Sequence, residues 1–256
     1  LAETGDIESA RREIDAALAN PLRPALALVY ASTVAEIAGD DEAALKHAQT
    51  AVMAPDAGFE AYGRLGDVAG RLGEFDTARK ALTRALSLNP RHDGVRLLHA
   101  GACLVTGDAD GARESLAALS PPARISPQAL HIDMALSHRV GDWARMAACG
   151  EKLVEQQPGD EEAIGGLAYA LGRQGYYNKA SRLYRPLVEH DPANAEKWAA
   201  LGRLRLGARD IEDARRCFET ALERDPECAE ASFGMARLLT FTGDLDAAAE
   251  MCRRTL

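Results

Sequence analysis

Histidine, cysteine and arginine are the side chains through which this 256-residue chain could do chemistry, and their spacing limits what that chemistry is. His131 and His138 stand seven residues apart. On a helix that spacing gives one shared face but a separation of two turns, about 10 Å, too far for both to ligate one metal ion. The i, i+4 spacing that a shared metal asks for is absent, so ordinary polar surface roles are expected for both. His99 falls at an apolar position and reads as a buried or half-buried histidine with its own hydrogen-bond partners. Cys103, Cys149, Cys217, Cys228 and Cys252 form no close pair and no metal-type spacing. Serine, histidine and acid residues lie scattered, with no nucleophile elbow and no phosphate loop of the Gly-x-x-x-x-Gly-Lys type. The expectation is a protein that is not an enzyme and that uses no cofactor and no metal.

Charge and composition narrow the partners. A formal charge of −9 lacks the electrostatic footprint of a nucleic-acid binder and disfavours anionic membrane surfaces. No apolar run approaches the roughly 18 residues of a membrane span, so membrane insertion is not expected. An odd number of cysteines leaves at least one thiol outside any intramolecular disulfide, which favours a reducing, cytoplasmic setting. The chain begins at Leu1 without a methionine, and both ends read as cuts through a longer pattern, so a targeting segment would lie outside it.

The pattern that positions these residues has a period of 34. Glycine recurs at Gly5, Gly39, Gly73, Gly107, Gly141, Gly175 and Gly243, with Arg209 the single break. Five residues later alanine recurs at Ala10, Ala44, Ala78, Ala112, Ala180, Ala214 and Ala248, with Met146 the exception. Each glycine suits the left-handed end of a helix, and the acid that follows it, as in Asp6, Asp40, Asp108, Asp142, Asp210 and Asp244, suits the N-cap of the next. Acids two residues further on, including Glu8, Glu42, Asp76, Asp110, Glu212 and Asp246, complement that helix's dipole. Pro90, Pro158, Pro192 and Pro226 stop the second helix of each unit.

The clearest copy runs from Asn194 to Pro226. With Ala195 as position 1, Trp198 stands at 4, Leu201 and Gly202 at 7 and 8, Ala214 at 20, Phe218 at 24, Ala221 at 27 and Pro226 at 32. This order of large, small and breaker residues resembles the tetratricopeptide repeat, two antiparallel helices and a turn in 34 residues. The resemblance covers the whole chain. It implies an all-α fold, a right-handed superhelical solenoid of helix-turn-helix repeats over residues 1–256. Full repeats are expected near 25, 59, 93, 127, 161 and 195, with partial repeats over 1–24 and 229–256. Residues 93–160 depart furthest from the pattern, where a shortened second helix, a loop near Ser120 to Ser126 and a local change of pitch, or a joint between two half-solenoids, are expected.

In this family ligands generally lie along a concave groove lined by positions 2, 5, 6, 9, 12 and 13. Carried onto this sequence, the groove residues are Arg64, Arg71, His131, His138, Arg139, Tyr169, Arg173, Arg203, Phe233, Arg237 and Phe241. The chaperone-binding members' lysine and asparagine clamp is missing at these positions. The repeated arginines suit carboxylates or phosphates of an extended, acidic peptide, with aromatics taking its side chains. Arg71, Arg139 and Arg173 also have a plain explanation, since a cation in the last turn of a helix is favoured by its dipole. Gly63, Gly70, Gly94, Gly101, Gly165, Gly166, Gly172, Gly207 and Gly234 share these positions, each at about 1 kcal/mol relative to alanine. Close approach of a ligand or a neighbouring helix would explain them.

The reading that follows is a non-catalytic scaffold binding a protein or peptide segment, with self-association through its ends or convex face a further expectation. The alternative is the substrate-recruiting amino-terminal region of a larger enzyme whose catalytic domain lies beyond Leu256. The segment Asp244 to Ala249 is similar in style to the repeat regions of bacterial sulfotransferases and glycosyltransferases.

Overall fold

The computed structural model describes residues 24–254 together with Ser9, Arg12 and Ala16. The sequence expectations at Gly5, Asp6, Glu8 and Ala10 lie outside the described residues, as does most of the half repeat over 1–24. Among the described residues fifteen helices and no strand are present. The chain divides into two compact units, Leu1–Leu136 and Ser137–Leu256.

The first unit holds α1 (Pro24–Ile37), α2 (Asp41–Met53), α3 (Phe59–Arg71), α4 (Phe75–Leu88), α5 (Asp93–Thr106), α6 (Ala109–Ala117), α7 (Pro121–Arg124) and the start of α8 (Pro127–Val140), inside which the border falls. The second holds α9 (Trp143–Gln156), α10 (Glu161–Arg173), α11 (Tyr177–His190), α12 (Ala195–Gly207), α13 (Ile211–Arg224), α14 (Ala229–Thr242) and α15 (Leu245–Arg254). From α3 onward the first helix of every pair starts 34 residues after the last, at Phe59, Asp93, Pro127, Glu161, Ala195 and Ala229.

Local chemistry sets those ends. Gly39, Gly73, Gly107, Gly141, Gly175 and Gly243 all have φ between 75° and 88°, the left-handed conformation that closes the first helix. At each turn the next residue's N–H reaches five residues back, as from Asp40 to the Ala35 carbonyl at 2.9 Å and from Asp108 to that of Cys103 at 2.8 Å. The aspartates then start the second helix. Asp40, Asp108, Asp142, Asp210 and Asp244 accept from the backbone N–H groups of Ala43, Gly111, Arg145, Asp213 and Ala247 at 2.9 to 3.3 Å.

Small residues let the two helices of a pair close up. Ala44, Ala78, Ala112, Ala180 and Ala214 are wholly buried. A Cβ at Gly66 would stand 2.3 Å from Leu82 Cγ, and one at Gly202 would stand 2.7 Å from Phe218 Cε1. The pairing of a missing side chain with a large one recurs at the same two repeat positions. Phe218 is fully buried at the centre of a cluster with Ala214, Met235, Leu238 and Leu239.

The divergent stretch meets one expectation and departs from another. The second helix is shortened to nine residues, α6, but the loop expected near Ser120 to Ser126 contains the four-residue helix α7 instead. Polar contacts hold it down. The Asp93 carboxylate accepts from both the backbone N–H and the hydroxyl of Ser120, which holds its acid below the ordinary carboxylate range. The Arg124 guanidinium donates to the carbonyls of Ala117 at 2.8 Å and Leu119 at 2.9 Å, groups that an ended helix leaves without partners. His99 fills a place taken by leucine in the clearest copy, half-buried, with its ring nitrogens 2.8 Å from Ser115 Oγ and 3.0 Å from Thr83 Oγ1.

Candidate functional site

Each unit carries a hollow on the side of its first helices, and the two differ in chemistry. In the first unit a space of about 1070 Å³ is bounded by α3 and α5, with Val29, Phe59, Val95, Leu98, Val105 and Ile132 among its walls. Leu98 and Val105 are 40% and 53% exposed, so apolar surface faces water here. The charged groups at its edge are held by one another. Arg64, whose side chain is only 10% exposed, donates from Nε to Ser32 Oγ at 2.9 Å and from Nη2 to the Ser32 carbonyl at 2.9 Å. It also pairs with Asp67 at 3.1 Å and with Glu36. Arg71 holds the other oxygen of Glu36 at 2.7 Å. These two groove arginines therefore brace α3 against α1. His131 belongs to this unit, half-buried on α8.

In the second unit five of the expected residues converge. Tyr169, Arg173, Arg203, Arg237 and Phe241 all line one hollow of about 940 Å³ between α10, α12 and α14. Beside it, His138, Trp143 and Tyr169 form an aromatic triangle with centroids 5.3 to 5.8 Å apart. The Arg173 guanidinium sits over the Trp143 ring at 4.4 Å and donates from Nη1 to the Tyr169 hydroxyl at 3.2 Å. Arg203 lies 5.8 Å from the same Tyr169 ring and holds the Glu230 carboxylate. Arg237 sits over Phe233 at 6.0 Å. Phe233 and Phe241 are 61% and 59% exposed. Arg139 is exposed at the end of α8, and Arg139 and Phe233 stand outside the residues that wall the hollow.

Sequence reasoning missed the floor. Tyr177 and Tyr184 reach the hollow from α11, a second helix, and Trp143 stands beside it at the start of another. Burial raises the Tyr184 phenol above its ordinary range, and the Glu230 carboxylate adds to that. The 34-residue register itself held the signal, because Phe75, Trp143 and Tyr177 share one repeat position and Phe75 lines the hollow of the first unit.

Six of the nine groove glycines fall into two groups. At Gly172, Gly207 and Gly234 an added Cβ would stand 2.9 Å from Leu204, 2.3 Å from the Tyr177 ring and 2.2 Å from the Phe218 ring, so neighbouring side chains fill the space. At Gly101 it would meet nothing within 4 Å, and at Gly70 and Gly165 only ordinary contacts at 3.8 and 3.9 Å. The first three are packing requirements, and the others leave backbone open to the hollows.

Other polar contacts in the second unit tie repeats together. Lys197 bridges Glu161 at 2.7 Å and Asp191 at 3.5 Å. The hydrogen bond to Lys197 holds the Glu161 carboxyl below its ordinary range and the Lys197 ammonium above its own. Among the described residues Cys103, Cys149, Cys217 and Cys228 are buried. Burial pushes Cys103 and Cys217 up to about 11. No group of three or more His, Cys, Asp or Glu among the described residues could hold a metal ion. No described helix is long and apolar enough to cross a membrane.

With this geometry in place, its likenesses can be stated. Residues 71–131 and residues 199–256 each match a tetratricopeptide repeat family. No curated protein matches the chain in sequence. Among solved structures, a tetratricopeptide repeat protein from Parabacteroides merdae is similar over 87% of this chain and 88% of its own, at 19% identity and a TM-score of 0.60. YrrB, a tetratricopeptide repeat protein described as having an unusual peptide-binding site, is similar over 72% of this chain and 95% of its own, at 15% identity and a TM-score of 0.64. MamA from Desulfovibrio magneticus is similar over 64% of this chain and 92% of its own, at 20% identity and a TM-score of 0.57. At such identities the likeness is one of fold.

Proposed function

The chain is a tetratricopeptide repeat protein, and from that premise we propose that it is a non-catalytic scaffold which binds a protein or peptide segment along the groove of its first helices. One observation carries the reading. Five of the eleven residues that the repeat register assigns to the groove, Tyr169, Arg173, Arg203, Arg237 and Phe241, line a single hollow of about 940 Å³. Arginine and exposed aromatic rings are the groups that anchor protein interfaces, and a hollow of this size admits several side chains of an extended segment. A peptide-binding site in the structurally similar YrrB fits the same use of the fold. The reading takes the 34-residue repeat through residues 1–256, and the apolar hollow of the first unit is a second candidate surface.

The test is site-specific photocrosslinking in cells that express the native chain. A benzophenone amino acid at Phe233 or Phe241 is expected to capture a discrete partner, whereas the same group at Glu219, exposed on the second helix α13, captures little. Equal capture at Glu219, or capture there alone, would sink the groove reading.

A further inference from the structure

Arg173 and Arg237 stand apart from the other arginines described in the two hollows. Arg64, Arg71 and Arg203 each hold a carboxylate of this chain: Arg64 and Arg71 share Glu36, and Arg203 holds Glu230. Among the described residues Arg173 and Arg237 make no ion pair. Each is placed over an aromatic ring instead, Arg173 on Trp143 and Arg237 on Phe233. Both line the same hollow. The contrast is sharp in a chain with 39 acids to 30 lysines and arginines, where a nearby carboxylate is easy to supply. A guanidinium stacked on a ring keeps the N–H groups of its edge available for in-plane acceptors, and the stacking fixes its orientation beforehand.

Arg203, in the wall of the hollow, already shows what such a group takes. Glu230, at the start of α14, places its carboxylate on Arg203 beside the Tyr169 ring. From these contacts, and resting on the groove reading above, we propose that the second unit's hollow reads acidic segments. Arg173 and Arg237 each take one carboxylate of the partner. An apolar side chain between the two acids enters the space walled by Tyr177, Tyr184 and Leu204. Glu230 is an internal competitor that occupies Arg203 until a ligand acid displaces it. Arg173 lies on α10 and Arg237 on α14, with α12 between them. Two helix-to-helix steps of about 8–10 Å are spanned by roughly five residues of extended chain, which sets the spacing of the two acids.

A random library of 12-residue peptides, selected against the full-length protein, tests this directly. Enriched peptides are expected to carry two Asp or Glu residues around an apolar one. Their Kd should rise about tenfold or more in Arg173→Gln and again in Arg237→Gln, the size of a lost charge-assisted hydrogen bond. It should fall severalfold in Glu230→Gln, which releases Arg203. Circular dichroism checks that each variant stays folded. The blocking control is Gly165→Leu, which grows a side chain into the hollow from a position with no contact closer than 3.9 Å. Uncharged or basic peptides that are blocked by Gly165→Leu but indifferent to the two arginines would overturn the acid-reading proposal and leave the groove reading intact. Failure to enrich any peptide, or binding indifferent to Gly165→Leu, would overturn both.

Discussion

The Arg173 guanidinium carbon lies 4.4 Å from the centre of the Trp143 ring, and this contact ties the second helix of one repeat to the first helix of the next. Trp143 opens α9 and Arg173 closes α10. His138 and Tyr169 pack against the same indole at 5.8 and 5.7 Å. The stack thus supports the fold and presents a cation to the hollow at once.

Trp143→Ala is expected to cost about 2–3 kcal/mol of unfolding free energy, the loss of a half-buried aromatic with its cation contact. Trp143→Phe retains a ring and should cost less than about 1.5 kcal/mol. Urea denaturation followed by circular dichroism measures both. Equal losses in the two variants would show that the ring face contributes nothing.

The turn at Arg209 gives a prediction of opposite sign. Arg209 has a φ of 61°, the one positive value at a non-glycine among the described residues. It nevertheless closes α12 as the glycines close other first helices, with the Arg209 N–H on the Leu206 carbonyl and the Asp210 N–H on that of Arg205, both at 3.0 Å. A Cβ in this conformation costs about 1–2 kcal/mol, part of which the flexibility of an unfolded glycine offsets. Arg209→Gly is therefore expected to stabilise the protein by about 1 kcal/mol in chemical denaturation. Gly175→Ala, at φ 86°, should destabilise by a similar amount although nothing lies within 4 Å of its added Cβ.

That turn also shows why the fold was legible and the site less so. A 34-residue register without insertion fixes helix starts, turns and buried alanines, because each depends on residues close in sequence. Arg209 broke the glycine pattern without breaking the turn, since the flanking helices hold its backbone where a glycine would have gone. The state of an arginine depends on something else, namely which acid a neighbouring repeat offers. Arg64 and Arg173 read alike as groove arginines, yet Glu36 and Asp67 surround one while Trp143 lies beneath the other. Glu36 stands at a groove position, the twelfth of its repeat, but nothing in the register pairs it with Arg64, and Trp143, at position 17, lies outside the groove rule. The loop expected at Ser120 misled for a related reason, because Asp93, 27 residues away, supplies the acceptors that order it.

The glycines divide by the same logic and can be separated by one substitution each. Gly101→Ala adds a methyl into open space within α5 and is expected to stabilise by about 1 kcal/mol, the difference in helix propensity. Gly234→Ala places its methyl 2.2 Å from the Phe218 ring, which is itself fully buried, and overpacking is expected to outweigh the propensity gain by about 1–3 kcal/mol. Thermal melting distinguishes them by the direction of the shift. Stabilisation by both would mean that Phe218 has room to move.

His99 makes stability depend on pH in a direction that its burial sets. Burial lowers its pKa below the ordinary 6.5, against the opposing pull of Asp108. An unfolded chain therefore takes up a proton at this ring more readily than the folded one as the pH drops. The contribution is fully present above pH 6.5 and is lost progressively as the pH falls through and below that value. His99→Gln can keep polar contacts to Ser115 and Thr83 but cannot titrate. Between pH 7.5 and pH 5.5 the urea midpoint of the wild type is expected to fall further than that of His99→Gln. Every group other than residue 99 is common to the two proteins and cancels from the comparison. A wild type that holds its midpoint as well as the variant, or gains on it at the lower pH, would mean that the folded protein accepts the proton on His99 and that Asp108, rather than burial, governs the ring.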